Sequence, residues 1–337
     1  MKKTLLSGIG EFSLIKRIEK KLFRGLPGAS RVLIDIGDDA FAARFSAGRV
    51  LVATNDVLVE NVHFRRGWIS PAELGYKALA VNLSDLAAMG GAKPLYAFSG
   101  LAMPAGTAVD FVDKLLTGMN RACAEFGFIV AGGDTVSSKK DIVISVTLLG
   151  EIDPGRLIRR SGAKPGDIIY VSGSFGDSGA GLKILEDKAR GGSAFEKALV
   201  KKHLLPVPRM ELAGRLSKTG KVTAMIDSSD GLAASLKFIS EKSSVGADIF
   251  TDLIPISKEL KKLSLTNRKL KPLWLALNGG EDYELVFTVK PGGARTVENI
   301  SPDITRIGVV NGSGRVKYFS GGSAVNIEAA GYQAFHR

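Results

Sequence analysis

Short runs of apolar and β-branched residues alternate along the chain with longer amphipathic segments, and glycines separate the two. In the first half of the chain this pattern predicts strands at residues 32–36, 50–54, 95–101 and 142–149. Ser70 followed by Pro71 is typical of a helix start, so a helix is expected to run from there to about residue 89, before Gly90. A second amphipathic helix fits residues 107–126.

Residues 150–166 contain few apolar side chains and several turn-forming residues, so we place a domain boundary there, between domains at 1–150 and 151–337. Beyond it the pattern predicts strands at 167–172, 222–226, 284–289 and 305–310. Helices are expected after a glycine-rich turn at 173–181 as far as about residue 190, and again over 208–216 and 231–242. Strands that alternate with helices in this way indicate an α/β (α+β) protein of two domains.

The composition narrows the class of protein. The 337 residues include 45% hydrophobic and 24% charged residues, which is ordinary for a folded domain pair, and a single cysteine, Cys123. One cysteine excludes a disulfide framework and a zinc site built from several thiolates. The chain has no apolar run long enough to span a membrane, and its N-terminus reaches Glu11 too soon for a signal peptide. We therefore expect a cytoplasmic protein without a membrane partner.

The net charge of +12, from 46 Lys and Arg against 34 Asp and Glu, suggests an anionic partner. The basic residues are scattered in pairs, and the densest stretch, 258–271, has no interleaved aromatic residues of the kind that stack on single-stranded nucleic acid. No nucleic-acid-binding motif is recognisable. We interpret this stretch as a solvated loop or helix face and expect no nucleic-acid partner.

Acidic residues occur repeatedly beside glycines, at the ends of apolar runs. Each one alone is typical of a turn or a helix cap. Together they indicate a site for a hard divalent cation, because Mg²⁺ is usually held by a few carboxylates together with substrate phosphates. These junctions carry Asp38, Asp39, Asp56, Asp85, Asp134, Asp227, Asp230, Glu281 and Asp282.

Several common catalytic motifs are absent from the sequence. It contains no P-loop, no protein-kinase signature and no G-x-S-x-G nucleophile elbow, and it has only three histidines. The glycine-rich turn 173–179 matches a dinucleotide-binding loop only loosely. We therefore expect no catalytic protein nucleophile or general base.

Read in order, the acidic motifs and their neighbours resemble the thiamine-monophosphate kinase family. The resemblance runs from about residue 8 to Tyr332 and is most specific at 77–90 and 279–285. The blocks that carry it are 8–15, 36–40, 62–64, 77–90, 132–135, 160–167, 229–232 and 279–285. It implies a two-domain PurM-like fold and a homodimer in which the N-terminal domains pair their sheets. It also implies Mg²⁺-dependent transfer of a phosphoryl group from ATP to thiamine phosphate, which gives thiamine diphosphate.

The resemblance also implies roles for individual residues. Implied ligands of several Mg²⁺ ions are Asp39, Thr54, Asn55, Asp56, Asp85, Asp134, Asp227 and Asp230. Implied contacts to ATP are Gly133, Arg160 and Ser229, and implied contacts to thiamine phosphate are His63, Glu281 and Tyr332. Asn55 departs from the family, which usually has Thr there, and its amide oxygen is a weaker candidate ligand than the neighbouring Asp56.

Other functions remain open at this point. Aminoimidazole-ribonucleotide synthetase and selenophosphate synthetase share the acid–glycine pattern, although the latter would want a reactive Cys near the N-terminus and Cys123 lies mid-helix. A regulator that binds nucleotide or nucleic acid without turnover is a further alternative. Tyr332 could simply pack on the second domain, and His63 could be satisfied by a backbone carbonyl.

Overall fold

The computed structural model describes residues 32–34, 38–45, 48–187 and 192–327. Its first part is a six-stranded sheet in the order β1-β2-β3-β6-β4-β5, in which only the β4–β5 pair is parallel. Two helices, α1 (Pro71–Ala88) and α2 (Val109–Phe126), pack with one face of the sheet in a common apolar core. The strands are β1 Val32–Ile34, β2 Phe41–Arg44, β3 Val50–Val59, β4 Lys93–Pro104, β5 Ile129–Ser138 and β6 Val143–Ile152.

Helix α1 begins where the sequence predicts, because its cap is local. The Ser70 hydroxyl accepts the N–H of Glu73 at 3.3 Å, and the Glu73 carboxylate accepts the N–H of Ser70 at 3.0 Å, which forms a capping box ahead of Pro71. Gly75 and Gly118 let α1 and α2 approach closely: a Cβ on Gly118 would lie 1.8 Å from the carbonyl oxygen of Ala72. Nearly all of α1 is buried, since the second part of the chain covers its other side.

The second part is a seven-stranded sheet in the order β13-β12-β9-β11-β7-β10-β8, antiparallel except for the β9–β12 pair. Its strands are β7 Ile168–Ser172, β8 Val222–Asp227, β9 Gly246–Phe250, β10 Leu285–Val289, β11 Ile304–Asn311, β12 Val316–Ser320 and β13 Ser323–Val325. The helices are α3 Asp177–Glu186, α4 Ala194–Leu204, α5 Met210–Lys218, α6 Leu232–Ser243, α7 Lys258–Thr266, α8 Pro272–Asn278 and α9 Ala294–Glu298.

Most predicted elements are present, and the omissions share a cause. The predicted strands and the two helices of the first half are confirmed, with ends shifted by a few residues. The elements that the pattern did not predict are short or exposed: β2, β5, β9, β12, β13, α4, α7, α8 and α9. The basic stretch contains α7, where Leu260 and Leu263 are buried and the lysines are exposed, so the interpretation as a solvated helix face is confirmed there.

Among the described residues, no helix combines the length and the apolar character needed to cross a membrane.

Candidate active site

Acidic side chains from both parts of the chain meet around helix α1. Asp85 lies near the end of α1, Asp227 is the last residue of β8, and Asp39 lies between β1 and β2. Ligand atoms of these three carboxylates all lie within 4.8 Å of one another. Because α1 is held between the two sheets, it carries Asp85 to the junction of the two domains.

Neighbouring groups hold the three carboxylates in place. The Ser84 hydroxyl donates to Asp227 Oδ2 at 2.6 Å, and the Thr54 hydroxyl, from β3, donates to Asp85 Oδ2. On the third side, the Arg160 guanidinium donates to Asp39 Oδ1 at 2.7 Å. Thr54 and Arg160 are both residues that the sequence predicts for the site.

The cluster carries more negative charge than its surroundings compensate. Burial, and then repulsion from Asp56, Asp227 and Asp39, raises the pKa of Asp85 well above its usual range. Burial, followed by the Asp39 charge, also raises the pKa of Asp227 well above its usual range. Burial raises the pKa of Asp56 to about 6. A cation placed among these groups would reverse these shifts.

The donor set fits a hard divalent cation. Asp39 Oδ2 is buried and has no hydrogen-bond partner within the described part of the chain, although the other oxygen of that carboxylate is bound to Arg160. A buried carboxylate oxygen left without a partner costs free energy unless a ligand satisfies it. Carboxylate oxygens of Asp39, Asp85 and Asp227 could therefore hold Mg²⁺, which takes oxygen ligands.

A cavity of about 400 Å³ lies beside this cluster, between the two domains. Five residues that the sequence predicts for the site line it: Asp56, His63, Ser229, Asp230 and Glu281. Asp56 belongs to both regions, since it faces the cavity and its charge also raises the pKa of Asp85. Asp56 therefore links the carboxylate cluster to the cavity.

The orientation of His63 follows from a backbone contact. Its Nδ1 accepts the N–H of Val59 at 3.0 Å, so in the neutral imidazole the proton is on Nε2. The ring also lines the cavity. His63 is thus a positioned hydrogen-bond donor at the cavity wall.

Glu281 also lines the cavity and lies in a strained loop. Its φ of +55° is unusual for a residue with a side chain, and its N–H donates to the carbonyl of Ser229 at 2.6 Å. Gly280 precedes it with a φ of +69°, where a Cβ would lie 2.9 Å from the same carbonyl. This close approach explains a glycine of the motif at 279–285.

Three predicted residues lie away from the cluster. The Asn55 amide donates to the Val146 carbonyl at 2.9 Å, on the face of β3 opposite Thr54 and Asp56. Asp134 is exposed on the edge strand β5, and its carboxylate accepts the N–H of Thr135 at 2.8 Å. On the same strand, a Cβ on Gly133 would lie 1.9 Å from the carbonyl oxygen of Ser99. The predicted contact Tyr332 lies outside the described residues.

The structure adds residues to which the sequence assigned no role. Lys77, inside the family-like block at 77–90, is buried and donates to Glu281 Oε2 at 3.0 Å. His203 Nδ1 lies 3.1 Å from the same oxygen. Only the position of Lys77 inside its motif could have signalled either residue.

Asp38 is one of the acids at the acid–glycine junctions that the sequence analysis singled out. It accepts the backbone N–H of Arg160, and burial, then Asp39, raises its pKa to about 6.

Comparisons with known proteins place the fold and the site in context. The family models for AIR synthase related protein match residues 37–152 (N-terminal domain) and 164–320 (C-terminal domain). A structure described as the HypE–HypF complex aligns with a TM-score of 0.74 at 22% identity, over 94% of this chain and 99% of that chain, and shows the fold alone.

Closer relatives identify the family. Thiamine-monophosphate kinase of Bacillus subtilis (strain 168) is 40% identical over 283 residues, 83% of each chain. That of Haemophilus influenzae (strain ATCC 51907 / DSM 11121 / KW20 / Rd) is 35% identical over 337 residues, 97% of this chain and 98% of the relative. A solved structure, AaThiL complexed with AMPPCP and TMP, aligns with a TM-score of 0.86 at 35% identity, over 99% of this chain and 100% of that chain. The chain therefore belongs to the thiamine-monophosphate kinase family.

Proposed function

We propose that the protein transfers the γ-phosphoryl group of ATP directly to the phosphate of thiamine phosphate, in a reaction that requires Mg²⁺. The observation that carries the proposal is the cluster of Asp39, Asp85 and Asp227, whose negative charge Arg160 compensates only in part. Its neighbour Asp56 lines the cavity between the domains. Supporting it, the relative AaThiL was solved with AMPPCP and TMP, an ATP analogue and the expected acceptor.

Phosphoryl transfer to thiamine phosphate does not require a nucleophilic side chain. The attacking oxygen belongs to a phosphate that is already anionic near neutral pH, so no strong general base is needed. Catalysis then rests on holding donor and acceptor in line and on neutralising charge in the transition state. A site rich in Asp suits this reaction.

The carboxylate cluster is the proposed metal-binding half of the site. Asp39, Asp85 and Asp227 would hold Mg²⁺, with Asp56 and Asp230 at the cavity wall. Further proposed ligands, from the family resemblance, are Thr54, Asn55 and Asp134. Bound there, Mg²⁺ would neutralise charge on the phosphates and orient them for transfer.

Two groups of residues would bind the substrates. Arg160, Ser229 and Gly133 are the proposed ATP contacts. Of these, Arg160 already lies against Asp39, and its Nε is buried without a hydrogen-bond partner among the described residues. His63 and Glu281, which both line the cavity, are the proposed contacts to thiamine phosphate, together with Tyr332. The Glu281 carboxylate would balance the positive charge of the thiazolium ring.

An assay that measures both products of the reaction tests the proposal. Purified protein is incubated with ATP, Mg²⁺ and thiamine phosphate, and thiamine diphosphate and ADP are quantified by chromatography. We expect both products in equal amounts, their loss in excess EDTA and their return when Mg²⁺ is restored. Unphosphorylated thiamine serves as the matched control acceptor. Nucleotide binding without thiamine diphosphate would refute the kinase assignment and favour a regulator.

We also propose that the protein is a homodimer joined through the first sheet. None of the elements that the structure describes covers the face of this sheet opposite α1 and α2, and by strand register it carries apolar side chains from three strands. They are between 42% and 57% exposed: Val57, Tyr96, Phe98, Ile129 and Val136. Exposed apolar side chains gathered on one face indicate a protein interface, and a second copy would cover it.

Light scattering coupled to size exclusion tests the dimer. We expect the wild type to elute at twice the chain mass of 35.7 kDa, and Phe98→Asp to elute as a monomer. Leu265→Asp on α7 is the matched control, because Leu265 is 80% exposed and lies away from the first sheet. A monomeric wild type would refute the dimer.

A further inference from the structure

Lys77 connects the two domains beneath the cavity. Its side chain is 1% exposed, although it carries a charge. From α1 in the first domain, its Nζ donates to Glu281 Oε2 at 3.0 Å and to the carbonyl oxygen of His203 at 3.1 Å, both in the second domain. A buried ammonium group is costly unless it is paired, so this position indicates a specific role for the pair.

Of the two residues in this ion pair, only Glu281 lines the cavity. The Glu281 side chain is 23% exposed and lines the cavity, whereas the Lys77 side chain is almost fully covered. Lys77 therefore lies out of reach of a molecule in the cavity. Any effect of Lys77 on ligand binding therefore acts through Glu281.

Two groups converge on one oxygen of the Glu281 carboxylate. Besides Lys77, His203 Nδ1 lies 3.1 Å from Oε2. Burial, then the Lys77 charge, lowers the pKa of His203 to about 4, so near neutral pH the imidazole is neutral; its Nδ1 also lies 3.0 Å from the Ser178 hydroxyl, with which it shares a hydrogen bond. Both contacts involve Oε2, so Oε1 is the oxygen available to a ligand.

The ionisation of Glu281 also depends on Lys77. Burial by itself would raise the pKa of this carboxyl group, but its neighbours, chiefly the charge of Lys77 and the hydrogen bond from Lys77, outweigh burial and hold the pKa below its usual range. The backbone of Glu281, at a φ of +55°, is also strained. The carboxylate is therefore held ionised in a fixed orientation, as recognition of a cation requires.

We propose that Lys77 is a positioning residue for substrate recognition: it fixes Oε2 of Glu281 across the domain boundary so that Oε1 faces the cationic ring of thiamine phosphate. This inference rests on the proposed function and deepens it. The ion pair between Lys77 and Glu281 would select a positively charged acceptor. The other residues of the site would bind ATP.

The test is a double-mutant cycle with Lys77→Met and Glu281→Gln. For each protein we measure kcat, the KM for thiamine phosphate and the KM for ATP, and we verify folding by circular dichroism. We expect K77M to raise the KM for thiamine phosphate by roughly tenfold or more, because the loss of one charge-assisted contact has that magnitude. The KM for ATP should stay within about threefold. Lys114→Met is the matched control, since the Lys114 ion pair with Asp110 is exposed on α2.

The double variant distinguishes a positioning role of Lys77 from a general loss of structure. In the E281Q background, adding K77M should change the KM for thiamine phosphate by less than about threefold, because the group through which Lys77 acts is already altered. An equal rise in both KM values, or a further tenfold rise in the E281Q background, would overturn the inference. If K77M alone does not fold, Lys77→Arg replaces it, because it keeps the positive charge but places it differently. The KM for thiamine phosphate should then rise while the KM for ATP stays within about threefold, and an unchanged KM for thiamine phosphate would overturn the inference.

Failure of this inference is distinguishable from failure of the proposed function. A wild type that forms no thiamine diphosphate refutes the proposed function. An active wild type with an unchanged KM for thiamine phosphate in K77M refutes only the role of Lys77.

Discussion

Replacing Asp56 by Asn is expected to make the metal-free protein more stable and less active. Asp56 lies where the carboxylate cluster meets the cavity, and its side chain adds charge that nothing nearby compensates. Asn has the same shape without the charge. The backbone N–H of residue 56, which donates to Asn82 Oδ1 at 3.2 Å, is retained.

The magnitude follows from the pKa of Asp56, which burial raises from 3.8 to about 6. A difference of about 2 pH units corresponds to about 3 kcal/mol at pH 7. Asp56 is partly exposed at the cavity wall, so solvent screening reduces the effect, and we expect D56N to gain about 1–2 kcal/mol in free energy of unfolding.

The pH dependence has a definite sign. A carboxyl group whose pKa is raised in the folded state binds more protons folded than unfolded between about pH 4 and pH 6, so stability rises as the pH falls through this window. Near pH 5, Asp56 is mostly protonated in the folded wild type. The advantage of D56N over the wild type should therefore be largest at pH 7 and smaller at pH 5.

Urea denaturation monitored by circular dichroism, in EDTA at pH 7 and at pH 5, measures this difference. Asp113→Asn is the control, because Asp113 is exposed on α2, and its effect should stay within about 0.5 kcal/mol. With Mg²⁺ and an ATP analogue, the wild type should gain more stability than D56N. A D56N protein that is less stable than the wild type in EDTA at pH 7, or equally stabilised at both pH values, would refute the reasoning.

Three further predictions concern single residues. Asp227→Asn should lower kcat by roughly a hundredfold or more, measured as ADP release, because it removes a proposed metal ligand; activity within threefold of the wild type would contradict this. Gly118→Ala should lower the free energy of unfolding by about 2–3 kcal/mol, since its Cβ would lie 1.8 Å from a backbone oxygen, whereas Gly106→Ala, with no atom within 4 Å, should change it little; equal effects would contradict this. Ser70→Ala should cost about 1 kcal/mol in thermal unfolding through loss of the cap, and an unchanged midpoint would argue against it.

Local signals in the sequence predicted the elements that depend on local interactions. The start of α1 was predicted correctly because Ser70, Glu73 and Pro71 act within one turn. Strand β5 was not predicted, since it contains the run Gly132–Gly133 and is mostly exposed. It exists because β4 supplies parallel hydrogen-bonding partners along its length, which no local pattern reports.

For the site, the sequence supplied the residue types but not their grouping. The repeated acid–glycine junctions indicated a site for a divalent cation, the family resemblance implied the kinase reaction, and the family is confirmed by the relatives. Which acids meet was decided by packing: Asp39, Asp85 and Asp227 come together, whereas Asp134 lies exposed on an edge strand. The net charge of +12 gave no guide to the site, because the cluster itself is acidic.

By itself, the sequence determined the α/β class, the capped helix α1, the acidic motifs and the family they resemble, because these depend on local patterns and residue types. Only the tertiary structure decided that α1 would be buried between two sheets, and with it the cluster at Asp85 and the pairing of Lys77 with Glu281. The physical reason is that burial raises the cost of each unpaired charge. The charge of Lys77 on α1 therefore depends on Glu281, which lies 204 residues away along the chain.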